Sequence, residues 1–234
     1  MPIQAAILAG GAGTRMRSLS DTPKVMLPLG GKPILVRQLE WLKKAGFSDI
    51  FLCLGHQADV ISEALGDGSR FGIRIDYRLE SEPRGTAGAV RDLGAALQGD
   101  LLVVYGDLYV DMNCGKLLDF HASHNGLATL VVRRTDHPED SDVVETDESG
   151  RVRAVGRVAD GVVSGDLGCA AIWVIRRELL KKVPASGLCD FARDIFPVAA
   201  AEGVGLMAYE TSEPVIDVGT PERYAKFQAA YKNE

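Results

Sequence analysis

The sequence predicts an α/β fold in three layers, a mixed and mostly parallel sheet with helices on both faces. Apolar runs typical of buried strands at 3–8, 49–55 and 73–79 alternate with helical patterns at 32–45 and 58–65. Crossovers from strand through helix to strand pair the strands in parallel and leave ligands at the carboxyl ends of those strands. The loop that follows the first strand is therefore the first candidate for a site.

The remaining elements continue this alternation and end with a closing helix. A hairpin that begins at Val143 turns at 147–150, which is a common addition to the end of such a sheet. Further strands are predicted at 101–105, 127–134, 167–175, 206–211 and 215–218. Further helices are predicted at 86–97, 113–124, 178–183, 190–203 and 221–231. We expect a single domain over residues 1–234, although the usual domain size of about 150 residues also allows two small ones.

Composition and charge restrict the classes of partner. The net charge of −6 argues against a broad surface for nucleic acid or for an anionic membrane, so an anionic ligand would need a local cationic pocket. No apolar run approaches the roughly 20 residues of a membrane span, and no signal peptide is visible. We therefore expect a cytoplasmic protein. The four cysteines form no C-x-x-C pair, which suits reduced thiols and no zinc site.

A glycine-rich loop follows the first predicted strand. Gly10, Gly11 and Gly13 lack a Cβ atom, so the backbone there can adopt a positive φ and bring its N–H groups close to an oxyanion. Thr14 adds a hydroxyl, and Arg15 adds a planar, two-pronged cation. The loop is predicted to bind a triphosphate. The alternative is a βα turn with cations scattered on the surface.

Two familiar glycine-loop patterns are excluded by spacing. A dinucleotide fingerprint needs a third glycine where Met16 stands, which also excludes a nicotinamide oxidoreductase. A P-loop needs Ser or Thr after its Gly-Lys pair, but Gly31-Lys32 is followed by Pro33. The loop must therefore bind phosphate in another way.

Two aspartates lie between apolar runs and glycines. Asp107 follows the strand at 101–105, and Asp217 lies in the segment IDVGTP. A carboxylate at the ligand edge of a parallel sheet suits Mg²⁺, a hard cation that prefers oxygen and bridges phosphates. The alternative is that Asp107 begins a turn and Asp217 caps the last helix.

Four segments, in order along the chain, resemble the signature of the sugar-1-phosphate nucleotidyltransferases, the pyrophosphorylases that make nucleotide sugars. They are LAGGAGTRMRSLSDTPKVMLPLGGKPIL from Leu8, PRGTAGA from Pro83, YGD from Tyr105 and IDVGTPERY from Ile216. The pattern is most similar to the mannose-1-phosphate and D-glycero-α-D-manno-heptose-1-phosphate guanylyltransferases. The resemblance implies a Rossmann-like fold of the nucleotide-diphospho-sugar transferase type. It also implies a nucleotide-binding part over about residues 1–110 and a sugar-phosphate-binding part over about 111–234.

The resemblance assigns roles residue by residue. Arg15 and Lys24 take catalytic positions, Arg15 at the β- and γ-phosphates and Lys24 at the α-phosphate and the incoming sugar phosphate. Asp107 and Asp217 are the ligands of Mg²⁺, the cofactor expected. The implied nucleotide-binding residues are Leu8, Ala9, Gly10, Gly11, Ala12, Gly13, Thr14, Glu80, Gly85, Thr86, Ala87 and Gly88. The implied sugar-phosphate-binding residues are Asp107, Arg157, Cys169 and Asp190.

The base and the sugar are indicated less directly. Residues 83–88 match the segment whose main-chain groups recognise the base in the family, and Glu80 is either an acceptor for a guanine N–H or a solvated acid. On the sugar side the family's Glu-Lys-Pro triplet is missing, so that Arg157 alone stands near the lysine position. Cys169-Ala170-Ala171 replaces an Asn-Ala-Gly strand start. A sugar other than the commonest hexoses fits these departures.

The resemblance therefore implies transfer of a nucleotidyl group from an NTP, with GTP favoured, to a sugar 1-phosphate of mannose or manno-heptose type. Pyrophosphate leaves, and the NDP-sugar would serve the synthesis of a surface polysaccharide such as capsule or lipopolysaccharide. UTP, dTTP or CTP as the donor stays open, as does a non-catalytic regulatory protein that binds nucleotide sugars. The expected partners are these small molecules, without nucleic acid or membrane and with a homodimer left open.

Overall fold

The computed structural model describes residues 3–11, 13–16, 21–135, 137–161 and 163–231, without the side chain of Arg15. Its strands are β1 (Ile3–Ala9), β2 (Pro28–Leu29), β3 (Lys32–Pro33), β4 (Asp49–Leu54), β5 (Arg74–Leu79), β6 (Asp100–Tyr105), β7 (Leu108–Val110), β8 (Ala128–Arg134), β9 (Val143–Thr146), β10 (Val152–Gly156), β11 (Leu167–Ile175), β12 (Leu206–Glu210) and β13 (Val215–Asp217). Its α-helices are α1 (Ile34–Lys44), α2 (Ala58–Leu65), α3 (Gly85–Arg91), α4 (Cys114–Ala122), α5 (Phe196–Ala201) and α6 (Pro221–Tyr231).

Most of the predicted elements are confirmed, and the boundaries of α2 and β11 coincide with the prediction. The helix predicted to reach residue 97 ends at Arg91, because Gly94 has a φ of +55° and begins a separate 3₁₀ turn. The helix predicted from residue 190 begins as a π-helical segment, Phe191–Ile195, and continues as α5. The sequence pattern does not predict two short antiparallel pairings, β2 with β3 and β7 with β13. Strands of two or three residues are too short to show alternation.

The chain forms two compact units. The glycine-loop unit comprises Ala5–Pro83, Val104–Met112 and Glu213–Glu234, and the hairpin unit comprises Met1–Gln4, Arg84–Val103 and Asn113–Ser212. This division differs from the two parts predicted on either side of about residue 110. The reason is that two earlier segments, Met1–Gln4 and Arg84–Val103, belong to the hairpin unit and the C-terminal segment belongs to the glycine-loop unit.

The glycine-loop unit is built on parallel strands. β4 pairs in parallel with both β1 and β5, which aligns Ala6 with Phe51 and Phe51 with Asp76. The buried face of α1 contributes Leu35 and Leu39, both fully buried. The carboxyl end of β1 leads directly into the glycine loop, as the predicted crossover requires.

The hairpin unit mixes the two kinds of pairing. β8 pairs with β11 in antiparallel and with β12 in parallel orientation, and β9 and β10 form the predicted hairpin. Trp173, Phe191 and Phe196 form its aromatic core, with ring centroids 5.3–5.5 Å apart. Parallel and antiparallel pairs therefore occur together, and the predicted mixed sheet is confirmed. Among the residues described, none of the helices has the length and apolar character that crossing a membrane requires.

Candidate functional site

The glycine loop begins where β1 ends. Gly13 has a φ of +59°, and its carbonyl accepts from the N–H of Met16 at 2.9 Å, which closes a 3₁₀ turn over Thr14–Met16. A Cβ atom on Gly13 would lie 3.6 Å from Lys24 Cγ, and one on Gly11 would lie 3.9 Å from Lys24 Nζ. Lys24 therefore lies along the loop. The predicted Ala12 falls outside the described residues.

A cavity of about 270 Å³ opens beside the loop, near the lower end of ordinary ligand pockets. Its lining includes Gly11, Gly13 and Lys24 from the loop, and Gln57 from the segment before α2. Gln57 has a φ of +57°, and its Nε2 donates to the carbonyl of Asp21 at 2.8 Å. The segment that leads to Lys24 is thereby tied to the start of α2.

Glu80 lies against the glycine loop. Its carboxylate oxygens would be 3.1 and 3.2 Å from a Cβ atom on Gly10, and its N–H donates to the carbonyl of Leu54 at 2.7 Å. A Cβ atom on Gly55 would lie 2.6 Å from the carbonyl oxygen of Gly10. Two predicted nucleotide-binding residues, Gly10 and Glu80, are thus adjacent, and their approach depends on glycine at positions 10 and 55.

Asp107 is placed beside the loop by the end of β6. The N–H of Gly106 donates to the carbonyl of Leu8 at 2.9 Å, and a Cβ atom on Gly106 would lie only 3.0 Å from Ala9 Cβ. The glycine before Asp107 therefore lets the ends of β1 and β6 approach. Leu8 and Ala9, both predicted to bind nucleotide, support this approach with backbone and side-chain contacts.

The antiparallel pairing of β7 with β13 places Asp217 next to Asp107. Asp217 pairs in register with Leu108, and the N–H of Val218 donates to the carbonyl of Asp107 at 3.0 Å. A Cβ atom on Gly219 would lie 2.7 Å from Asp107 Oδ2 and 2.9 Å from Asp217 Oδ1. The two carboxylates therefore converge on the space that Gly219 leaves open.

Each of these carboxylates has a cation of its own. Lys24 Nζ donates to Asp107 Oδ2 at 2.6 Å. Arg223, in the first turn of α6, donates to Asp217 Oδ2, and the N–H of Gly219 donates to Asp217 Oδ1 at 2.6 Å. Two carboxylate oxygens that face one small space form the kind of donor set that Mg²⁺ prefers. The residues present therefore fit that ion.

In the hairpin unit, the predicted base-binding segment is bonded to Asp190 and its neighbour. Asp190 Oδ1 accepts from both the N–H and the hydroxyl of Thr86, each at 3.1 Å. The N–H groups of Ala87 and Gly88 donate to the carbonyl of Cys189 at 2.9 and 3.1 Å. The main-chain donors of these three residues are thus engaged within the protein.

Gly85 is required at the start of α3. It has a φ of +71°, and a Cβ atom there would lie 2.5 Å from the carbonyl oxygen of Cys189. A side chain would therefore be both strained and excluded. The N–H of Cys189 also donates to the carbonyl of Arg84 at 2.9 Å, which completes the connection between the two segments.

Arg157 and Cys169 meet at a third residue, Asp142. Arg157 Nε donates to Asp142 Oδ1 at 3.2 Å, and the N–H of Cys169 donates to the Asp142 carbonyl at 2.7 Å. Burial raises the pKa of the Cys169 thiol to about 11, so the group is uncharged at neutral pH. Ala171, two residues further along β11, has a φ of +55°. The structure thus brings two predicted sugar-phosphate residues together, whereas Asp190 lies on the segment bonded to α3.

Residues 4–159, about two thirds of the chain, match the family described as Nucleotidyl transferase. The chain belongs to this nucleotidyl transferase family. The mannose-1-phosphate guanylyltransferase of Mycobacterium tuberculosis (strain ATCC 25618 / H37Rv) is 31% identical over 230 residues, which cover 97% of this chain and 64% of that protein. The chain therefore spans less than two thirds of the length of this curated relative.

The fold of one solved structure matches that of nearly the whole chain. HddC from Yersinia pseudotuberculosis is 26% identical, with a TM-score of 0.81 over 99% of this chain and 100% of that chain. HddC has also been solved complexed with GMP-PN, at 25% identity and the same TM-score and coverage. The predicted Rossmann-like nucleotidyltransferase fold is confirmed.

Three residues contribute to the candidate site that the sequence does not identify: Gln38, Gly219 and Arg223. Gln38 is 1% exposed, and its Nε2 donates to the carbonyls of Tyr105 and Leu108 at 2.7 and 2.8 Å, which fixes the turn between β6 and β7. In the sequence, Gln38 could have been noticed as a polar residue on the otherwise apolar face of α1. Gly219 and Arg223 lie inside IDVGTPERY, so the motif points to their segment but not to their contacts.

Proposed function

We propose that this chain is a sugar-1-phosphate nucleotidyltransferase that uses GTP and a sugar 1-phosphate of mannose or manno-heptose type. An oxygen of the sugar phosphate attacks the α-phosphorus of GTP, the bond from that phosphorus to the β-phosphate breaks, and pyrophosphate leaves. The observation that carries the proposal is the convergence of Lys24, Asp107 and Asp217 beside the glycine loop. The relatives support GTP as the donor, because one is named a guanylyltransferase and HddC was solved with GMP-PN.

Two anions meet in this reaction, so the protein has to offset their charge and hold the reacting groups in line. The N–H groups of Gly11 and Gly13, with Thr14 and Arg15, would bind the β- and γ-phosphates. Lys24 would bind the α-phosphate, where negative charge increases as the new bond forms. Its position along the loop supports this role, since Nζ lies 3.9 Å from a Cβ atom built on Gly11.

Asp107 and Asp217 are the residues that would hold Mg²⁺, which offsets the charge of the phosphate oxygens when it is bound. Two carboxylates at an anion-binding site would otherwise repel the substrate. Their convergence at Gly219 supports a shared cation over two separate turn residues.

Glu80 is the residue that we assign to the base. Its carboxylate oxygens lie 3.1 and 3.2 Å from a Cβ atom built on Gly10, which places an acceptor at the glycine loop. Guanine presents a ring N–H and an exocyclic amine side by side, and a carboxylate can accept from both. The other three bases do not offer this pair of adjacent donors, which supports GTP.

The sugar phosphate is assigned to the hairpin unit. Arg157 supplies the positive charge, shared with Asp142, and Cys169 lies on the same pair of segments. The NDP-sugar product would enter surface polysaccharide synthesis of the capsule or lipopolysaccharide type in the cytoplasm.

The experiment that tests the proposal measures pyrophosphate release with Mg²⁺. The full chain is incubated with GTP, UTP, dTTP or CTP against a panel of sugar 1-phosphates that includes mannose and manno-heptose. We expect turnover with GTP and one of these two sugars. Faster turnover with another nucleotide would correct the base while leaving the reaction class in place, and no turnover with any pair would contradict the proposed function.

A further inference from the structure

Two positively charged side chains are bound to the two carboxylates of the site, and they are bound in different surroundings. Lys24 Nζ lies 2.6 Å from Asp107 Oδ2, with 19% and 16% of these side chains exposed. Arg223 donates to Asp217 Oδ2, with 37% and 43% exposed. The first pair is therefore less screened by water and salt than the second.

The effect of each cation on metal binding depends on which carboxylate oxygen it binds. Asp107 Oδ2, which Lys24 binds, is also the oxygen that faces the space at Gly219, 2.7 Å from a Cβ atom built there. On Asp217 the oxygen that faces this space is Oδ1, at 2.9 Å, whereas Arg223 binds Oδ2. The oxygen that faces the space is therefore bonded to Lys24 on Asp107, whereas on Asp217 it is bonded to the N–H of Gly219 and not to Arg223.

We infer that Lys24 and Arg223 have opposite effects on metal binding. Lys24 is a resident counterion that competes with the metal for Asp107, and Arg223 is a positioning residue that orients Asp217. This inference rests on the proposed function, because that function is what requires a metal ion. Lys24 leaves Asp107 as the metal binds, and its charge then becomes available at the glycine loop.

The contacts predict whether each substitution raises or lowers the affinity for the metal. Replacing Lys24 removes a charge-assisted hydrogen bond that the metal has to break, and it also removes a charge that repels the metal. Both effects strengthen metal binding. Replacing Arg223 relieves some repulsion but frees Asp217 to rotate. Because Arg223 is the more exposed cation, its repulsion is the better screened, and the loss of orientation dominates.

The test is Mn²⁺ binding to the substrate-free full chain, measured by electron paramagnetic resonance of the free ion. Lys24→Met should raise the Mn²⁺ affinity about tenfold, and Lys24→Gln provides the same test if the first variant does not fold. Arg223→Met, made in the Lys24→Met background, should lower the affinity about tenfold. Arg223→Lys in that background should restore part of the loss, since it keeps a donor for Asp217.

Two exposed pairs provide matched controls. Lys32→Met removes a lysine 2.7 Å from Glu40, and Arg74→Met removes an arginine 2.6 Å from Asp49. Neither should change the Mn²⁺ affinity. Unchanged or weaker binding in the Lys24 variants overturns the competition, and unchanged or tighter binding in Arg223→Met overturns the positioning role. The measurement needs no turnover, so an inactive enzyme would refute the proposed function without altering this result.

Discussion

Carboxylates in the two units of this protein are arranged in contrasting ways. In the glycine-loop unit, Asp107 and Asp217 face one open space and are balanced by a cation each. In the hairpin unit, Asp190 is turned toward its own fold and accepts from both the N–H and the hydroxyl of Thr86 at 3.1 Å. The same residue type therefore faces a space that can hold a ligand in one unit and the N–H and hydroxyl donors of Thr86 in the other.

From this contrast we expect the converging carboxylates to serve chemistry and Asp190 to serve stability. Two carboxylates held close together repel each other, and the arrangement is favourable only with cations beside them. A carboxylate that accepts from main-chain N–H groups instead stabilises the segment that it binds. Substitutions in the first set should change turnover at nearly constant stability, and substitutions in the second set should do the reverse.

The largest effect should come from the converging carboxylates. Asp107→Asn and Asp217→Asn keep the shape of the side chain and remove its charge, so each should lower kcat by about 10²-fold or more. The double variant should lose little beyond either single variant, because one lost ligand already leaves the metal poorly held. A double-mutant cycle on kcat across a Mg²⁺ titration measures this coupling.

Asp49→Asn is the matched control, since Asp49 forms an exposed pair with Arg74. It should leave kcat unchanged. Additive losses for Asp107 and Asp217 that follow a lowered melting temperature and ignore added Mg²⁺ would show turn and cap residues instead of a shared metal site.

Whether the sequence predicts a feature of this site depends on how far apart the contacting residues lie along the chain. Asp107 and Asp217 are predicted because each lies in a local pattern, an apolar run next to glycine, and Lys24 is predicted because it lies in the segment that resembles the family signature. The approach of Gly219 to Asp107 depends on the pairing of β7 with β13, and a three-residue strand has no alternation that a sequence can show. The fold class is predicted because its signal repeats over many elements, whereas a single pairing gives no such repetition.

A second experiment tests the hairpin-unit side of the comparison. Asp190→Ala removes the acceptor for Thr86 and leaves its main-chain donor unsatisfied, so the unfolding free energy should fall by about 1–2 kcal/mol. Thr86→Val removes part of the same connection, and the two losses should not add. Urea denaturation of the single and double variants measures both effects. A raised KM for the sugar 1-phosphate at unchanged stability would instead place Asp190 on the substrate, as the family resemblance implies.

The hairpin unit also contains a buried histidine whose effect on stability depends on pH. His121 is 1% exposed, with its Nδ1 2.8 Å from Thr129 Oγ1 and its Nε2 3.7 Å from Asp100 Oδ2. Burial, together with the nearby charge of Arg176, lowers the pKa of His121 to about 4, and burial lowers the pKa of His124 as well. Between the unfolded value of about 6.5 and this folded value, the unfolded chain binds more protons. Stability should therefore be complete above pH 6.5 and fall by roughly 1 kcal/mol per pH unit toward pH 4.

Urea denaturation at pH 7, 6 and 5 measures this slope. His121→Gln removes the buried titrating group and should flatten the slope, whatever its effect on stability at pH 7. His137→Gln, which replaces a histidine at an exposed position, is the matched control. Equal slopes in all three proteins would mean that His121 does not titrate in this range.

The smallest effect is expected at Ala171, where the hairpin unit departs from the family pattern that has glycine. Ala171 has a φ of +55° inside β11, and the register with β8 shifts in the same stretch. An alanine in this conformation destabilises the folded chain by about 1 kcal/mol. Ala171→Gly would remove this strain, but the greater conformational freedom of glycine in the unfolded chain would offset part of the gain. The substitution should therefore raise the unfolding free energy by about 0.5 kcal/mol. Ala170→Gly, one residue earlier in the same strand and without a positive φ, should lower it by a similar amount. Opposite signs at adjacent positions would show that the strain is local to Ala171, whereas destabilisation at both would show that the Ala171 methyl group contributes packing that outweighs the strain.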